Sequence, residues 1–208
     1  MKTTTAVIAN LVLKLKQSIR VLDRHASLAM TIIFIFVIGL IYLVQPAKPL
    51  PFLSTGGVSD EPGDTYQHPD QRGFYTNLTR GEVLTEVQEK TTLTIFGFKI
   101  PSYRLNYRPE EATTLVRDQL KSNYLEEIIY PLHSSYFVNG WEPKKAPINP
   151  NRKNPVDMNL SLHGVPYDAK ITLLPITSKP VYRILIWTLI FPATYFVFKS
   201  LKMSIKDE

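Results

Sequence analysis

The residues best suited to chemistry are four histidines, two adjacent glutamate pairs and one stretch dense in aromatics. His25, His68, His133 and His163 show no paired metal-ligand spacing, and there is no cysteine to complete a zinc set. His133 and His163 could form an acid/base or ligand cluster with Glu142 or Asp168 only if the fold brings them together. The alternative is ordinary polar residues at strand ends. Glu110 and Glu111, and Glu126 and Glu127, are neighbours in sequence. On a helix such neighbours point about 100° apart, so neither pair is a ready acid/base couple. No glycine-rich phosphate loop, nucleophile elbow or dinucleotide fingerprint is present. The sequence therefore reads as a non-enzyme without cofactor or metal; a membrane-tethered enzyme built on His133 and His163 is the competing reading.

The aromatic stretch covers residues 130–142. Tyr136 and Trp141 within it suit a platform for a glycan or peptide, rings stacking on an apolar ligand face. The alternative is that Phe137 and Trp141 are core residues on either side of a turn at Asn139-Gly140.

The elements that must carry these residues are set out by charge. The net charge is +6, yet residues 46–180 hold 15 Lys/Arg against 15 Asp/Glu. The surplus lies in the N-terminal arm, in Arg183 and in the C-terminal tail. Between each basic end and the neutral middle lies one apolar run. Residues 26–45 are 20 residues without a charge. At about 1.5 Å per residue they reach roughly 30 Å, the thickness of a bilayer core. The positive region before them is long and no small-residue cleavage site follows, so this is an uncleaved signal anchor rather than a leader peptide. Residues 181–198 form the second run. Arg183 stands near its outer end, placed to snorkel to headgroups, and Trp187 is an interface anchor. Pro192 lies inside it and predicts a kink. The alternative for either run is a core helix of a soluble protein.

The arm, residues 1–25, carries Ile8, Leu11, Val12, Leu15, Ile19 and Leu22 at helical spacing, with Lys14, Arg20 and Arg24 elsewhere on the wheel. It predicts a basic amphipathic helix lying on the cytoplasmic leaflet or on a partner subunit. Lys199 and Lys202 in the tail, residues 199–208, hold the other end inside. The basic residues border the spans instead of clustering with aromatics, which excludes a nucleic-acid partner.

Residues 46–73 form a linker rich in Pro and Gly, and residues 74–180 one extracytoplasmic domain without disulfides. Residues 82–107 read as strands, and a central helix starts at Pro109 and runs to Pro131 with Ala112, Leu115, Val116, Leu120 and Tyr124 inward. Residues 134–138, 158–163 and 169–176 read as further strands, with Lys170 and Thr172 facing away from Ile171 and Leu173, and residues 164–168 turn the chain between the last two. The expected class is α+β: two transmembrane helices flanking a mostly antiparallel, β-rich domain. That domain is either a jelly-roll-like sandwich or a curved sheet on one helix. The function expected by subtraction is a non-catalytic accessory or scaffold subunit of a larger bacterial inner-membrane complex. Both termini would be cytoplasmic and the domain periplasmic. A membrane-held glycan- or ligand-binding module is the second reading.

Overall fold

The computed structural model describes residues 26–116, 122–143 and 159–204. The basic arm with Lys14, Arg20 and Arg24, residues 117–121 with Leu120, the whole 144–157 loop with residue 158, and the last four residues lie outside them. The chain divides into two compact units, Gln45–Arg183 on the one hand and Met1–Val44 with Ile184–Glu208 on the other.

The second of these units contains two helices long and apolar enough to cross a bilayer, α1 (Ala26–Val44) and most of α4 (Pro180–Ser204). Their apolar side chains, Phe34, Leu189 and Phe198 among them, are largely exposed, unlike those of a core helix. Where α1 and α4 touch, the contact is aromatic against glycine. The Trp187 indole donates to the Phe36 carbonyl at 3.1 Å, and Phe36 meets Phe191 edge to face. A Cβ on Gly39 would stand 2.2 Å from the Trp187 ring, so only glycine admits the indole there.

Gln45–Arg183 is built on one antiparallel sheet of six strands in the order β1-β2-β10-β7-β6-β5. Its strands are β1 (Gly57–Val58), β2 (Arg72–Thr76), β5 (Tyr103–Tyr107), β6 (Tyr124–Tyr130), β7 (Ser134–Trp141) and β10 (Ala169–Thr177). Two small hairpins, β3 (Thr94–Ile95) with β4 (Phe98–Lys99) and β8 (Leu160–Leu162) with β9 (Val165–Tyr167), stand apart from it. Helix α2 (Arg80–Thr91), the single turn α3 (Ala112–Leu115) and two 3-10 turns, Pro62–Asp64 and Pro109–Glu111, complete the described elements. The fold is thus α+β, with every described strand pairing antiparallel. Among the described residues there is one large sheet, with no second sheet of comparable size facing it as a jelly roll requires.

Opposite residues of paired strands share a face. Glu126, Ile128 and Tyr130 therefore share one with Tyr136, Val138, Leu173 and Ile171. Helix α2 covers this face: Arg80 Nε donates to Glu126 Oε1 at 2.7 Å, and the Tyr130 hydroxyl reaches the Gln88 carbonyl at 3.2 Å. Val83, Leu84 and Val87 bury the helix against it. On the other face α3 contributes Ala112 and Val116 to a cluster with Leu125 and Phe137.

Four expectations are corrected. Of residues 82–107, expected as strands, 82–91 are instead helical, within α2; Thr79 and Glu82 form a reciprocal capping box at its start. Among the described residues the expected central helix is a 3-10 turn, Pro109–Glu111, running into the single turn α3, and Tyr124–Tyr130 form β6. Both faces of that strand are covered, so its apolar residues crowd together without alternating. Asn139-Gly140 is no turn but lies within β7, because a Cβ on Gly140 would sit 2.1 Å from the Tyr124 ring. The glycine serves close packing. The alternation expected in β10 holds, with Lys170 and Thr172 on the face opposite Ile171 and Leu173, and both are buried because β10 is an interior strand. Of the segment expected to turn at 164–168, residues Val165–Tyr167 pair back on β8, and the reversal is at His163-Gly164.

Candidate functional site

The most polar point of the interior centres on Lys170. Its neighbours in β10 are apolar, so its ammonium can stay charged only if the fold supplies partners. Nζ stands 2.7 Å from Asp64 Oδ2 and 2.7 Å from Glu61 Oε2, and 5.6 Å from the centre of the Tyr75 ring. Asp64 sits in a short 3-10 turn, Pro62–Asp64. It approaches the sheet because residue 73 is glycine: a Cβ there would meet Asp64 Oδ2 at 2.4 Å. The Tyr75 hydroxyl donates to Glu61 Oε1 at 2.6 Å.

Burial works against the charge on Lys170, but the bonds to Asp64 and Glu61 outweigh it and hold the ammonium above the ordinary lysine range. Burial likewise opposes the Glu61 charge, and Lys170 and Tyr75 more than reverse that, lowering its pKa. Burial, then the bond to Glu61, drive the Tyr75 hydroxyl far up. A lysine held protonated with 3% of its side chain exposed is neither a nucleophile nor a base. The cluster pins segment 59–64 to the sheet.

The second polar cluster is at the opposite end of β10. His133 closes the turn between β6 and β7. Its Nε2 lies 2.8 Å from the Gln45 carbonyl and its Nδ1 2.9 Å from the Ser134 hydroxyl. A carbonyl only accepts, so Nε2 carries the proton and, in the neutral ring, Nδ1 accepts from Ser134. The Arg183 guanidinium donates to the Gln45 carbonyl at 3.2 Å and to the Ser178 carbonyl at 2.7 Å. Burial lowers the His133 pKa; the Gln45 bond partly offsets this, and the nearby Arg183 charge adds to the lowering.

The expected site residues fall as follows. Tyr136 is 1% exposed, and its hydroxyl is spent on the Lys48 carbonyl at 2.6 Å. Trp141 is half-buried and, five residues along the same strand, points to the other face. The expected two-ring platform is therefore not assembled. Arg183, expected at the headgroups, is 5% exposed and bound to protein carbonyls. Trp187 lies in the helix contact described above, while Lys199 and Lys202 are exposed on α4. His163 pairs with Asp60 at 2.9 Å, far from His133, so the two histidines do not meet. Among the described residues no group of three or more His, Cys, Asp or Glu could hold a metal.

Sequence reasoning missed Asp64, Glu61 and Lys170 as a unit. The one available signal was a lysine inside the apolar run of β10. An open groove of about 570 Å³ beside Lys48, Phe52, Arg72 and Lys90 was also missed. Lys90 there already binds Glu86 and the Phe52 carbonyl, and Arg72 lies 4.4 Å over the Phe52 ring, so two of its three cations are engaged.

The fold and these clusters define a class: an α+β body on a six-stranded antiparallel sheet, carried on a chain with two membrane-length apolar helices. Against protein-family models, curated proteins and solved structures, the chain matches none.

Proposed function

We propose that this chain is a two-span protein of a bacterial inner membrane whose periplasmic body docks on a larger membrane complex as a non-catalytic accessory subunit. Several features support the membrane part. The apolar helices leave their side chains outside the protein, and the basic residues flank them while the body between is neutral. A bilayer removes that apolar surface from water at a gain of roughly 25 cal/mol per Å².

The observation that carries the docking part is the free edge of the sheet. Among the described residues β5 pairs only with β6, and it displays Tyr103 and Leu105 to solvent. An edge strand with apolar side chains is a template for another chain unless something covers it. The buried clusters support a non-catalytic reading, since each is closed around its own charges.

The test is purification of the full chain from its membranes in mild detergent. A stoichiometric integral-membrane partner is expected, and Leu105→Arg, at an exposed site, should reduce its recovery at least severalfold while the chain itself stays folded. Recovery of the chain alone, or a partner indifferent to Leu105→Arg, removes the docking reading.

A further inference from the structure

Both points where Gln45–Arg183 passes into the membrane-length helices lie at one end of the sheet. Gln45 directly follows α1 and binds His133 in the β6–β7 turn. Thr177 pairs with Ser134 beside that same turn, and Pro180 opens α4 three residues later. Segment 92–102 is anchored at this end too. Thr91 before it bonds the Tyr130 hydroxyl at 3.1 Å, and Tyr103 after it pairs with Ile129. Tyr130 and Ile129 are the last residues of β6 before the turn.

Three large apolar side chains are exposed at this end. Phe96 is 76% exposed and Phe98 77%, as much as Phe198 on the outside of α4 at 73%. Leu132, in the β6–β7 turn itself, is also exposed, and Lys99 stands beside Phe98. The backbone is bent to present two of these side chains. Phe96 has φ 50° and Leu132 φ 58°, left-handed values that bulky residues rarely adopt. Gly97, with φ 83°, completes the Phe96-Gly97 turn between β3 and β4. A water-facing turn would take Asn or Asp at such a position at less cost. Aromatic rings with an adjacent lysine suit the boundary between acyl chains and anionic headgroups, where the rings are dehydrated and the ammonium stays wet.

We propose that Phe96, Phe98 and Leu132 form a lipid-contacting rim, the β3–β4 hairpin and the β6–β7 turn resting in the headgroup–acyl boundary, with Lys99 against anionic headgroups. This rests on the reading of α1 and α4 as spans. The rim residues differ from Tyr103 and Leu105 of the β5 edge proposed for protein docking.

The chain has no cysteine, so a single Phe98→Cys carries one nitroxide in the full-length protein. The labelled chain is reconstituted into vesicles of phosphatidylcholine and phosphatidylglycerol. Val165→Cys, exposed on β9 at the other end of the sheet, is the reference. Flotation with the vesicles reads the spans independently of the rim. At position 98, oxygen should relax the label more effectively than a water-soluble nickel chelate, and at 165 the order should reverse. Leu132→Cys repeats the measurement should Phe98→Cys lower the yield of folded protein. A floating chain whose rim label is as open to nickel as the one at 165 overturns the proposal. So does a label shielded in native membranes but open to nickel in pure lipid, which would assign the rim to a protein partner. A chain that fails to float removes the spans themselves and the rim with them.

Discussion

Lys170 shows how one buried charge organises the residues around it. Asp64 and Glu61 compensate its ammonium, and Gly73 leaves the space in which Asp64 can do so. Removing one partner of a buried pair strands the other, at a cost of about 3–5 kcal/mol. Lys170→Met should therefore destabilise the full chain by about that much in detergent-solubilised unfolding. Adding Asp64→Asn should return much of the loss, since an amide tolerates the site without a counter-charge. A loss unaffected by the second change would mean that packing, not charge, is what matters there. At His133 the sign is set by a lowered pKa. The unfolded chain binds the proton more readily than the folded one, so stability is complete above the ordinary value of 6.5 and declines as pH falls below it. Thermal unfolding compared between about pH 7.5 and about pH 5 should show this decline, and His133→Gln should shrink it. Equal pH dependence in the variant would exclude His133 as its source.

At the scale of elements, β7 lies inside the sheet between β10 and β6, and its packing with β6 depends on a glycine. The Tyr124 ring lies against Gly140 with no room for a methyl group. Gly140→Ala should cost about 1–3 kcal/mol by overpacking. The cost should largely vanish in a Tyr124→Leu background, because the two sites are in contact and their effects are coupled. Undiminished loss in that background would point to backbone strain instead. The helix α2 owes its position to a different device. Its capping box fixes where it begins, and Arg80 and Gln88 bond to β5 and β6 across the face it covers. The fold therefore needs both a local start signal and distant polar partners to seat one helix.

At the scale of the whole molecule, the charge distribution predicts a topology. If the neutral body lies outside and both basic ends remain in the cytoplasm, alkaline phosphatase fused after Gly164 should be active, and fused after Glu208 inactive. Opposite sidedness of the two ends would overturn the two-span arrangement. The two apolar helices and the α+β class were legible because they rest on composition and on long runs of one residue type. The strand of residues 169–177 was legible too, as was the helical start at Pro109. The helix at residues 80–91 was partly legible: Thr79 and Glu82 stand at capping-box spacing, but the threonines at its end read as strand. The candidate site was scarcely legible, because Asp64 and Lys170 are 106 positions apart and neither lies in a motif.

The sequence by itself determined where the apolar helices lie, that the middle is neutral and disulfide-free, and which residue types were at hand. These depend on local composition, which water and hydrocarbon sort without reference to distant residues. Only the tertiary structure decided that residues 124–130 are a strand, that Gly140 serves packing and not a turn, and that Tyr136 is core. A crowded apolar run satisfies helix and strand alike, and what separates them is which other strands arrive to take its backbone hydrogen bonds.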